Sequence, residues 1–156
     1  MNDPASKVIA DVDAFLSSFD RKNKTIVFTN GCFDLLHKGH LYLLSQAKNA
    51  GDILIVGVNN DASVRRLKGD ERPIENVTIR MQKLAQLSEV DFVIPFSEDT
   101  PLYLIQKIQP GILVKGGDYK AEEIVGADIV KKNGGKVIII PLLEGFSTTE
   151  AIRSPK

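Results

Sequence analysis

Five short apolar runs divide the chain: 25–29 (TIVFT), 53–56 (ILIV), 92–94 (FVI), 112–114 (ILV) and 137–140 (VIII). None alternates strictly between apolar and polar residues, so each reads as a strand covered on both faces. Between them the apolar positions fall at helical spacing. Leu41, Leu43, Leu44 and Ala47 predict a helix with Gly51 as its C-cap. Further helices are predicted near 75–88, from about 101 to 108, and near 121–132, the last ending at Gly134-Gly135. Ahead of the first strand, Val8, Val12, Phe15, Leu16 and Phe19 predict one amphipathic helix over residues 6–19. A polar turn at 21–24 separates that helix from the first strand, giving an N-terminal segment (1–24) and a main domain (25–156). Buried strands alternating with helices predict an α/β fold, a single-domain, doubly wound, five-stranded parallel sheet of Rossmann-like form. Ligands then bind at the carboxyl ends of the strands, where the strand order reverses.

A chain of 156 residues fits one ordinary domain. Twenty basic residues balance twenty acidic ones, so there is no overall field to hold nucleic acid or a membrane surface. The single cysteine, Cys32, rules out an internal disulfide framework, and no apolar run approaches the roughly 20 residues that span a bilayer. Asp11 and Asp13 interrupt the apolar positions that a signal peptide needs. A cytoplasmic location is the expectation.

The richest chemistry follows the first strand, in Gly31-Cys32-Phe33-Asp34-Leu35-Leu36-His37-Lys38-Gly39-His40. His37 and His40, three apart at a helix entrance, share one face. Free N–H groups at a helix start favour anions, and Gly39 lets a phosphate approach the backbone. The pattern describes a polyphosphate cradle. For an isolated H-x-x-H the plainer reading is surface or capping histidines. Cys32, His37 and His40 could also supply three ligands of an open zinc site, but no fourth ligand is evident nearby, and Cys32 reads better as a small packed residue.

The string GCFDLLHKGH resembles the signature of the HxGH nucleotidyltransferase superfamily. Together with LKGDERPI, VDFVIPFSEDTP, LVKGGDYKAEEIVGA and EGFSTT, in order over about residues 25–149, it resembles the adenylyltransferase domain that makes ADP-activated heptose. The resemblance is to the stand-alone form, without a preceding sugar-kinase domain, and that form is the expectation. Relatives that use glycerol phosphate and CTP carry an arginine shortly before the glycine of the last segment, where this chain has Leu142-Leu143-Glu144.

The resemblance implies ATP and a sugar 1-phosphate as substrates, Mg²⁺ carried by the triphosphate, no protein metal ligand, and a homodimer. It implies catalytic roles for His37, His40 and Lys68, and a nucleotide pocket formed by Thr29, Asn30, Gly31, Phe33, Asp34 and Gly39. Ser147, Thr148 and Thr149, which with Glu150 also read as a capping box, would complete that pocket. Lys68 and Arg72, in the loop 67–73, and Arg80 on the next helix would contact anions; on charge alone such residues are solvated surface, as Arg65 and Arg66 are expected to be. Lys115, Gly116, Gly117, Asp118 and Tyr119 would form a substrate loop, though a strand-ending turn also explains the glycines. The alternatives are another phosphorylated acceptor, a cytidylyltransferase, or a noncatalytic nucleotide-binding module.

Overall fold

The computed structural model describes residues 3–117 and 120–141. Asp118, Tyr119, Ser147, Thr148 and Thr149 lie outside the described residues. Five strands, β1 (Ile26–Gly31), β2 (Ile53–Asn59), β3 (Phe92–Phe96), β4 (Ile112–Gly116) and β5 (Lys136–Ile140), form one parallel sheet in the order β3-β2-β1-β4-β5. The chain steps outward from β1 to β3 and then returns to lay β4 on the other side of β1. The order therefore reverses between β1 and β4, which puts the expected ligand position over their carboxyl ends.

The strands are apolar throughout because both faces are covered. On one face Val27, Leu54, Val56, Val93 and Val114 pack with Leu44 and Ala47 of α3 (Lys38–Asn49) and with Leu84 and Ala85 of α5 (Val77–Ala85). On the other, Ile26, Phe28, Ile55, Ile94 and Leu113 pack with Leu104, Ile105 and Ile108 of α6 (Leu102–Ile108) and with Val130 of α7 (Ala127–Lys132).

The structure corrects four expectations. Residues 6–19 are not one helix but two, α1 (Pro4–Lys7) and α2 (Val12–Ser18), capped by Asp3 and Asp11. The break arises because Val8 bridges to Val93 and the Ile9 N–H donates to the Val93 carbonyl at 2.8 Å, which draws the chain along the edge of β3. Next, a helix absent from the sequence reading, α4 (Asp61–Lys68), follows β2. Asn60 caps it by accepting from the Ser63 N–H, and Arg65, Arg66 and Lys68 fill its last turn, where cations suit the carboxyl end of the helix dipole. Lys68 thus ends a helix rather than sitting inside a loop. The expected helix over 121–132 is a 3-10 turn (Ala121–Glu123) followed by α7, because Gly126 takes a left-handed conformation (φ 88°) beside the Ile105 side chain. Gly51, finally, is no left-handed cap: the C-cap of α3 is Ala50, and a Cβ at Gly51 would stand 2.6 Å from Val27.

Candidate active site

Two adjoining recesses open over the carboxyl ends of the strands. The larger, about 480 Å³, runs from Asn30, Gly31 and Cys32 past Asn59, Leu67 and Lys68 to Asp99, Thr100 and Pro101 before α6 and to Glu123, Ile124 and Val125 before α7. The smaller, about 130 Å³, lies on the α3 side and adds Phe33, His40, Leu43 and Gly116. Both share Asn30, Gly31, Cys32, Lys68 and Lys115, so two ligands seated in the two recesses would meet between the two lysines.

The histidines are built into the start of α3. His37 is the N-cap: its Nδ1 accepts from the Gly39 N–H at 3.1 Å, while its own N–H donates to His40 Nδ1 at 3.2 Å. The plain capping reading of the pair is therefore realised. Because each Nδ1 is an acceptor, each neutral ring carries its proton on Nε2. The Gly39 amide is spent on His37, so it does not serve as a phosphate donor as expected. The rings stack with centroids 3.8 Å apart, and Phe33 meets His40 edge-on at 5.4 Å. Burial, then the neighbouring His37 and Lys68, push the His40 pKa down to about 4, outweighing Asp34. Burial lowers that of His37 as well. At neutral pH the pair is an uncharged donor array.

The loop between β1 and α3 is held in shape by an internal anion. Phe33 and Leu35 take left-handed conformations (φ 51° and 59°), which cost non-glycine residues about 1 kcal/mol or more each. Between them Asp34 is wholly buried and accepts from Arg72 Nε (2.9 Å) and from the Ile74 (2.7 Å) and Glu75 (2.9 Å) amides. Burial alone would raise its pKa, but these hydrogen bonds and the Arg72 charge carry it below the usual carboxylate value. Asp34 and Arg72 thus serve each other, and neither lines the recesses.

Two further expectations are redirected. The Thr29 hydroxyl donates to the Val114 carbonyl at 2.9 Å and is fully buried, so it ties β1 to β4 instead of facing a ligand. Arg80 is also fully buried and donates to backbone carbonyls and to Asp61, leaving it no access to an anion. Asn30, Gly31, Phe33, His40, Lys68, Lys115 and Gly116 do converge on the recesses; His37 stacks on His40, and Gly117 lines neither recess, its N–H donating to the Ile140 carbonyl at 3.0 Å. Burial, followed by the charge of Lys68, lowers the Lys115 pKa, against the influence of Cys32. The Cys32 thiol is pushed up by burial, against Lys68, Arg80 and Arg72, which suits a lining group and not a nucleophile.

Asn59, Asp99, Thr100 and Glu123 escaped the sequence reading. The carboxyl-end rule, applied there to β1 and β4, points equally to the ends of β2 and β3 and would have reached Asn59, Asp99 and Thr100. Glu123 carries no comparable signal. Among the described residues no three His, Cys, Asp or Glu side chains gather as a metal site, and no helix is long and apolar enough to cross a membrane.

A parallel sheet with a histidine-capped helix at its switch point and two lysines between adjoining recesses defines a nucleotidyltransferase-type site. Residues 28–154 match the cytidylyltransferase-like family model, and the chain belongs to that family. It is similar to the bifunctional protein HldE of Nitrobacter winogradskyi (53% identical over 92% of this chain and 29% of that protein) and to that of Coxiella burnetii (57% over 83% and 27%). The chain thus spans under a third of the length of these relatives. Among solved structures it resembles the lipopolysaccharide core biosynthesis protein of Thermoplasma volcanium (28% identical, TM-score 0.63, covering 78% of this chain and 98% of that one). The pantothenate synthetase of Thermus thermophilus shares the fold at 18% identity (TM-score 0.68, 96% and 68% covered).

Proposed function

We propose that the chain is an adenylyltransferase that moves AMP from ATP to D-glycero-D-manno-heptose 1-phosphate, releasing pyrophosphate and giving ADP-heptose for lipopolysaccharide or surface-glycan synthesis. The observation that supports transfer is the pair of recesses sharing Lys68 and Lys115, one of them lined by the neutral His40. The heptose assignment rests on the similarity to the HldE proteins over most of this chain, on the likeness to a lipopolysaccharide core biosynthesis protein, and on the LVKGGDY and EGFSTT segments.

In this reading a phosphate oxygen of the acceptor attacks the α-phosphorus of ATP. The bond from that phosphorus to the bridging oxygen breaks, and pyrophosphate leaves with the electron pair. The attacking phosphate has a second pKa near the value of about 6 known for phosphorylated side chains, so it is mostly ionised at neutral pH and no base is required. Nε2–H of His40 donates to an oxygen that gains charge as the bond breaks, while Lys68 and Lys115 hold the phosphates of both substrates at their meeting point. Mg²⁺ enters as part of the MgATP substrate. Where the recesses adjoin, the Nε2–H of His40 and the ammonium groups of Lys68 and Lys115 suit phosphate oxygens.

A cytoplasmic location and a homodimer belong to the same reading. The deciding experiment compares pyrophosphate release from ATP with heptose 1-phosphate against CTP with glycerol 3-phosphate. Preference for the first pair is expected. Preference for the second replaces the substrate assignment, and binding of nucleotide without release from either pair supports a noncatalytic module.

A further inference from the structure

Arg80 heads the large side chains wholly withdrawn from solvent, and its donors reach four acceptors in three segments of the chain. Nη1 donates to the carbonyls of Cys32 and Asn59, both at 2.7 Å, Nε to the Glu75 carbonyl at 2.9 Å, and Nη2 to the Asp61 carboxylate at 2.7 Å. A guanidinium buried without partners would cost several kcal/mol, so these contacts dictate where it sits. They also dictate what it joins. Cys32 begins the loop leading to the histidine pair. Asn59 ends β2, and Asp61 opens α4, whose last residue is Lys68. Glu75 lies beyond the exposed stretch 65–71 and is fixed in turn by Asp34.

The segment bearing Lys68 therefore stands on two buried charges. At its near foot Arg80 clasps Asp61 and Asn59; at its far foot Asp34 clasps Arg72, Ile74 and Glu75. Both clasps are made to the β1–α3 loop, through the Cys32 carbonyl in one case and Asp34 itself in the other. Helix α4 is eight residues, about 12 Å, so a tilt at Asp61 carries through to the lysine.

We propose that Arg80 is a positioning residue that sets Lys68 against the histidine pair by locking the foot of α4 to the loop after β1, without touching substrate. The proposal rests on the transfer reading for its kinetic arm only. Arg80→Lys keeps the charge but cannot span four acceptors. Amide exchange should then quicken in residues 31–36 and 60–72 while β4 and α6 stay protected. With ATP and heptose 1-phosphate, kcat should fall about 10²-fold, the scale of an ångström's misplacement, while ATP affinity changes by less than about 3-fold. In a Lys68→Ala background the same substitution should cost less than about 3-fold, because the group it positions is already gone.

Uniformly faster exchange across the sheet with kcat retained would reduce Arg80 to a packing role and overturn the proposal. A full loss of kcat persisting in the Lys68→Ala background would do so too. If Arg80→Lys does not fold, Asp61→Ala removes the acceptor of Nη2 at a partly exposed position and carries the same measurements. Absence of turnover by the wild-type chain with this substrate pair would fell the heptose assignment, whereas the exchange pattern would still decide the role of Arg80.

Discussion

His37 and His40 exchange their capping roles within one turn: the N–H of His37 donates to the ring of His40, while the ring of His37 receives the N–H of Gly39. Two rings that look like a base and its partner are thereby fixed as neutral donors. His40→Ala should lower kcat by about 10²-fold, the scale for losing one preorganised donor, with ATP still bound. Calorimetry and steady-state rates on the same variant check this; a loss confined to nucleotide affinity would make His40 a binding group only.

The same geometry sets a pH dependence of stability. In the folded chain the pKa of His40 is about 4, against an ordinary value of 6.5, so between these values the unfolded chain binds more protons. Stability should therefore be highest above about pH 6.5 and decline as the pH falls toward 4, by roughly 3 kcal/mol from this residue. Urea unfolding of the wild type and of His40→Gln across that range should give a shallower decline for the variant. The loss tied to Asp34, whose pKa is lowered from 3.8, belongs to still lower pH.

Lys68 lies on an exposed helix end and lines both recesses. Lys68→Ala should reduce kcat/KM about 10²-fold, as expected for loss of one charge-stabilising group. Stability should move by no more than about 0.5 kcal/mol, as for most surface substitutions. An unchanged kcat/KM would return the residue to the solvated surface.

Asp34→Ala should behave in the opposite way to a surface change. It strips the partly buried Arg72 of its ion-pair partner and leaves the Ile74 and Glu75 amides without their acceptor. A cost of about 3–5 kcal/mol is expected, measurable by chemical denaturation.

The strand and helix alternation was legible because buried parallel strands are apolar along their whole length, and all five apolar runs became strands. Helix α4 was not, since Val64 and Leu67 supply only a thin apolar stripe over its eight residues. The break at Val8–Ile9 depends on Val93, far away in sequence, and no local pattern announces it. Lys115 was readable from its place at the end of an apolar strand. Arg80, Asp34 and Thr29 were misplaced because a charge or hydroxyl that serves distant backbone groups looks, in sequence, like one that serves a ligand. The acceptors of Arg80 come from residues 32, 59, 61 and 75, which meet only after the strands have paired.

The donor character of the α3-side recess has a bearing on inhibitor chemistry. With Nδ1 of each histidine already satisfied from within, His40 presents only a proton, and Lys68 and Lys115 add two cations. A compound built around amines or amidines would meet like against like there. Phosphonates, sulfonates or carboxylates bring acceptors to match these donors, and a scaffold carrying one such group between the two lysines could extend from there into both recesses at once.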